Sequence, residues 1–135
     1  MRRLIFCIFA LASLFVVGCE EKYEPYYVLW AYGTVVDDAG EPIQGIRAYP
    51  EGSSFYGREG YTNYLGEFGG SVHLTPRDRW IIYFEDVDGD YNGGEYEGLS
   101  VDITDKVTPP GKPDEWGYSG SCMVKLDTVV LKRKM

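Results

Sequence analysis

The chain has 135 residues, 13 Lys and Arg against 21 Asp and Glu, a formal charge of −8, 16% aromatic residues and 17 glycines. A surface this acidic lacks the basic patch that counterion-driven binding to nucleic acid or anionic lipid requires. The length suits one compact domain, and the three cysteines, Cys7, Cys19 and Cys122, are too few for a disulfide framework.

The chain opens with Arg2 and Arg3, an apolar run from Leu4 to Val17, and small Gly18. That run is shorter than the roughly 20 residues a spanning helix needs, so residues 1–18 read as an export signal. Val16-Val17-Gly18-Cys19 resembles a bacterial lipobox, which implies that Cys19 is lipidated, with a palmitate-type acyl chain on the new amine, and becomes the mature N-terminus. Each buried acyl methylene contributes about 0.8 kcal/mol, so two or three chains form a near-permanent anchor to the membrane. An ordinary secretory signal followed by a chance Cys is the alternative. Residues 19–26 form a tether with Glu20, Glu21 and Glu24. The absence of Asp after Cys19 resembles lipoproteins sorted to the outer membrane. The acidic pair is similar to the surface-export signal of some Gram-negative lipoproteins, and equally to a plain solvated linker. Loss of Arg2 and Arg3 with the signal takes the formal charge from −8 to −10. Cys122 is then the one thiol beside the anchor, and the fold must stand on its core.

Residues 27–133 show period-two alternation broken by Gly, Asp, Asn and Pro, without sustained helical periodicity, and predict an all-β domain. A first strand, Tyr27 to Val36, ends at the turn Asp37-Asp38-Ala39-Gly40; a second runs from Ile43 to Tyr49. A turn over Thr62 to Gly66 introduces a strand with Phe68, Gly70, Val72 and Leu74 on one face and Ser71 and His73 on the other. Trp80 to Glu85 is apolar on both faces and is expected in the middle of a sheet. Leu99, Val101 and Ile103 are expected to point inward from the next strand, and Cys122, Val124, Leu126 and Val130 from the last. Between them, Asp105 to Ser119 reads as a long loop. Seven or so short strands with one wet face each predict a Greek-key β-sandwich.

Residues 33–46, with Gly33-Thr34-Val35-Val36, the Asp/Gly turn and Pro42-Ile43-Gln44-Gly45-Ile46, resemble the opening of transthyretin-like, carboxypeptidase-regulatory-like sandwich modules. Thr62-Asn63-Tyr64-Leu65-Gly66-Glu67-Phe68 resembles their second signature, and Ala48 and Tyr49 depart from the family by standing where Val is commoner. Adding the lipobox and residues 83–96, with Asp86-Val87-Asp88-Gly89 and Asn92-Gly93-Gly94-Glu95, the chain is similar to small lipoproteins that occur beside a radical SAM enzyme in certain Gram-negative bacteria. That resemblance implies an enzyme partner without implying an activity or any functional residue.

The acidic loop is the one chemical constellation. Asp86, Asp88 and Asp90 alternate, Asn92 adds a carbonyl, and Glu95 or Glu97 can close an oxygen shell suited to calcium. Tyr91 occupies the place where an EF-hand requires Gly, so this is no EF-hand; a solvated hairpin tip is the plainer alternative. His73 is the single histidine, expected on a wet face without a nucleophile beside it. Cys122 is expected as a buried structural thiol, or else as a modification target of the enzyme partner. Tyr56, Tyr61 and Tyr64 near a Gly-rich turn, and Trp116 and Tyr118 in the long loop, are expected either at protein or glycan contacts or packed over the sandwich edges.

The expectation is therefore a lipid-anchored cell-envelope sandwich acting as a non-enzymatic interaction or structural module. One alternative is that the precursor is modified by the radical SAM enzyme, in the cytoplasm and before folding. The other is a calcium-dependent carbohydrate-binding module.

Overall fold

Alternating inward and outward residues give each strand one apolar face, and two sheets bury those faces against each other. The computed structural model describes residues 23–56, 60–89, 91 and 94–134. Among them are seven strands: β1 (Tyr26–Val36), β2 (Ile46–Pro50), β3 (Glu67–Leu74), β4 (Ile81–Asp86), β5 (Leu99–Asp102), β6 (Tyr118–Lys125) and β7 (Val129–Val130), with a 3-10 turn at Thr104–Lys106. One sheet has the order β3-β1-β6, with β7 also paired to β1; the other has the order β2-β4-β5. The protein is an all-β sandwich, and β4 is central to its sheet as its two apolar faces predict. The expected signal and Cys19 lie outside the described residues.

Leu29, Ala31 and Val35 of β1 and Val72 of β3 face Ile46 and Ala48 of β2 and Ile82 and Phe84 of β4, all buried. Burying each of the larger side chains contributes about 1.5–3 kcal/mol. Phe68 meets Phe84 edge-on across the layers at 5.2 Å, and Tyr27 packs on Trp80 at 4.9 Å.

Three turns of one design join these strands. Asp37, Asn63 and Asp114 each accept two backbone N–H bonds through Oδ1, from the residues two and four positions on, at 2.8–3.0 Å. In each, the glycine three positions on lies in the left-handed region, with φ of 81° at Gly40, 74° at Gly66 and 87° at Gly117. A side chain is disfavoured there. A Cβ on Gly40 would meet open space, whereas one on Gly66 would strike the Val35 carbonyl and one on Gly117 the Glu24 carbonyl.

Several expectations need correcting. The second strand starts at Ile46; Ile43 is buried ahead of it, donating its N–H to the Val35 carbonyl at 3.1 Å. The loop expected at 105–119 holds for 107–117 and is trimmed at its ends by the 3-10 turn and by Tyr118 and Ser119 of β6; it is tied down by buried Val107 and by the Gly111 N–H donating to the Ser119 carbonyl at 2.8 Å. Val130 does not point inward. β1 runs parallel to both β6 and β7, with Tyr32 opposite Lys125 but Val35 opposite Val129. The C-terminal chain thus holds one extra residue across that interval, and a one-residue slip reverses the faces. Val129 and Leu131 are buried, while Val130 is 48% exposed. Leu99 pairs with buried Phe84, so it shares the inner face, but β5 is an edge and leaves it 41% exposed. It opens onto a groove of about 460 Å³ between β5 and β7.

The start of the domain is also tighter than a free tether. Tyr26 already belongs to β1 and donates its N–H to the Gly117 carbonyl at 2.8 Å. At the other end, the chain closes through the Tyr96–Arg133 bridge.

Candidate functional site

Asp86 ends β4 and acts as a clasp. Its Oδ1 accepts the Asp88 N–H at 3.2 Å and its Oδ2 the Tyr96 N–H at 2.9 Å, joining the two legs of the acidic loop. Glu95 and Glu97 are exposed and flank buried Tyr96 on a segment bonded to the residues that follow β7, with Glu97 N–H to the Lys132 carbonyl at 2.7 Å and Lys134 N–H to the Glu95 carbonyl at 3.0 Å. The Arg133 guanidinium lies 5.9 Å from the Tyr96 ring, and its hydrogen bond to the Tyr96 phenol holds its pKa above the usual value. Asp90 and Asn92 lie outside the described residues. Among the described residues, no group of three or more His, Cys, Asp or Glu side chains is arranged to hold a metal ion.

Cys122 is half-buried against the core rather than fully enclosed. Its sulfur accepts the Thr108 N–H at 3.5 Å and lies 3.7 Å from the Lys106 carbonyl. The neighbouring Tyr27 phenol donates to the Thr108 carbonyl at 2.6 Å and is pushed up to about 12, chiefly by burial and next by the Cys122 thiol. A phenol with that pKa is a donor at neutral pH, so it supplies no base to activate the thiol. His73 is exposed, as expected, and stacks on Tyr26 at 5.2 Å with Tyr56 edge-on at 6.0 Å. Tyr56 therefore leans over β3, while Tyr61 bridges to Arg47 beside β2 and Tyr64 stands 74% exposed at its turn.

An exposed apolar surface lies on the outer face of β1. Tyr26, Val28, Trp30 and Tyr32 alternate with buried Tyr27, Leu29 and Ala31, and so line the outer face of the mixed sheet. The register sets Ser71 and Met123 on either side of Trp30, and Gly69 and Lys125 on either side of Tyr32. Small β3 residues leave the rings standing clear, with Trp30 45%, Tyr32 41% and Met123 67% exposed. Alternation against Leu29 and Ala31 was the signal available in the sequence.

A second aromatic group sits where β1 begins. Tyr23 and Trp116 pack at 5.6 Å, and Tyr26 meets Tyr118 at 5.8 Å. Trp116 is in the loop as expected; Tyr118 is the first residue of β6, its hydroxyl 3.0 Å from Ser121 Oγ. No family model matches the chain, and a search among curated proteins also finds no match.

Proposed function

We propose that this is a lipid-anchored outer-membrane lipoprotein whose transthyretin-like sandwich works as a non-enzymatic interaction module in a radical SAM enzyme system. The observation that carries the binding role is the exposed Trp30, Tyr32 and Met123 surface, because contiguous aromatic and Met area left uncovered on a folded domain is a feature of contact sites. Anchoring rests on the Arg2-Arg3, apolar and Gly18-Cys19 pattern. The transthyretin-like reading gains from Thr62, whose Oγ1 accepts the buried Ile46 N–H at 2.9 Å, and from the packed turn at Gly66, since both signature residues have structural work.

Intact mass of the mature protein tests the anchor and the enzyme partner together. The expected species begins at Cys19 and carries lipid; membrane fractionation unchanged in Cys19→Ser overturns anchoring. For the binding role, a photo-crosslinking side chain at position 30 in cells should give a discrete adduct, lost on Tyr32→Ser; no adduct refutes that surface. A mass excess beyond the lipid that depends on the enzyme's gene would favour the precursor reading. Cys122, half-buried with its sulfur engaged by Thr108, would then have to be modified before folding. Glycan binding abolished by chelator would instead favour the calcium-dependent carbohydrate module.

A further inference from the structure

We infer that the turn at residues 112–117, with Trp116 at its tip and Tyr23 against it, is a membrane-contacting foot that sets the sandwich upright on the leaflet holding the anchor. The inference rests on the reading that Cys19 is lipidated. Four peptide steps separate Cys19 from Tyr23, and even full extension covers only about 14 Å. A lipidated Cys19 lies at the level of the lipid glycerol, so Tyr23 is confined to the headgroup layer or just outside it. Tyr23 is not at the end of a loose leash. Its ring packs on Trp116 at 5.6 Å, and three residues later Tyr26 bonds to the Gly117 carbonyl at 2.8 Å. The lipid therefore brings the turn to the surface with it.

The turn is built to hold a ring outward. Asp114 accepts the Trp116 and Tyr118 N–H groups at 2.8 and 3.0 Å, Pro113 precedes it, and Gly117 passes so close to Glu24 that no side chain fits. Trp116 is nevertheless 59% exposed and Tyr23 52%. Trp and Tyr favour the boundary between headgroups and acyl chains, where the ring is apolar and its N–H or O–H stays hydrated. Charge does not favour the contact: Lys22 and Lys112 stand against Glu20, Glu21, Glu24, Asp114 and Glu115. The attachment is thus aromatic, and added salt should not release it.

The test uses the full lipidated protein in vesicles of phosphatidylethanolamine and phosphatidylglycerol containing phospholipid brominated near the headgroup end of its acyl chains. The tryptophans are Trp30, Trp80 and Trp116, so Trp116→Phe removes the foot's signal alone. Wild-type emission should fall on bromination at low and high salt, and the Trp116→Phe protein should lose that quenching. Equal quenching in both proteins overturns the foot. So does a Trp116 emission that is shielded yet insensitive to bromolipid, which would mean a protein covers it. Intact mass separates the two readings: lipid on Cys19 with an unquenched Trp116 refutes the foot and leaves the anchor standing, whereas a mass without lipid refutes both.

Discussion

Alanine at Gly66 and at Gly40 puts the same side chain into the same turn geometry, with different surroundings. Both glycines are left-handed, at φ of 74° and 81°, and that conformation costs a side-chain-bearing residue about 1–2 kcal/mol. Reduced freedom of the unfolded chain offsets about 0.4–1 kcal/mol of it. At Gly40 nothing lies within 4 Å of the added Cβ, so Gly40→Ala should cost about 1 kcal/mol. At Gly66 the Cβ would strike the Val35 carbonyl and approach Pro42 Cβ at 3.0 Å. That carbonyl cannot withdraw freely, because it accepts the Ile43 N–H while the Val35 N–H donates to Gly66. Overpacking adds about 1–3 kcal/mol, giving about 2–4 kcal/mol for Gly66→Ala. Urea unfolding of the two purified variants reads the difference as a shift in midpoint at unchanged slope. In thermal melting, each kcal/mol corresponds to about 4 °C for a domain of this size. Equal losses at the two positions would refute the argument that the Val35 contact, rather than the turn alone, demands glycine.

Thr62→Val keeps the shape but leaves the buried Ile46 N–H without its 2.9 Å acceptor, and should lower unfolding free energy by about 1–3 kcal/mol. Ser119→Ala should do the reverse: its buried Oγ has no partner among the described residues, so calorimetry should show a gain of up to about 1 kcal/mol. Asp102 has its pKa lowered from 3.8, first by the Thr104 hydroxyl and then by the Thr104 N–H. Its stabilisation is present above the unfolded pKa and is lost as pH falls through the lower, folded one; Asp102→Asn should therefore melt earlier at neutral pH, with the gap closing in acid. Asp86→Ala should destabilise equally with and without millimolar calcium, since Asp86 clasps the Asp88 and Tyr96 N–H groups. A calcium-induced rise in wild-type melting that Asp86→Ala abolishes would make that carboxylate an ion ligand.

Local chemistry was legible in the chain. Alternation marked β1 and β3, a run apolar on both faces marked β4, the Asp37 and Asn63 turns announced themselves through Gly three places on, and His73 fell on the wet face because Val72 and Leu74 had to fall on the other. The same turn at Asp114 carries the same signature, with Gly117 three places on, inside the proline-rich loop. Of the acidic loop, spacing revealed the carboxylates but not that Asp86 is occupied by backbone donors on both oxygens. Only the tertiary structure decided that β6 and β7 lie parallel to β1, that a one-residue slip turns Val130 outward, and that Leu99 lies on an open edge. It likewise stood Trp30 and Tyr32 beside Gly69 and Ser71 as an uncovered face. Period and turn type arise from each residue's own backbone and immediate neighbours, so a sequence carries them; pairing partner and register depend on contacts between distant segments, which only the folded chain brings together.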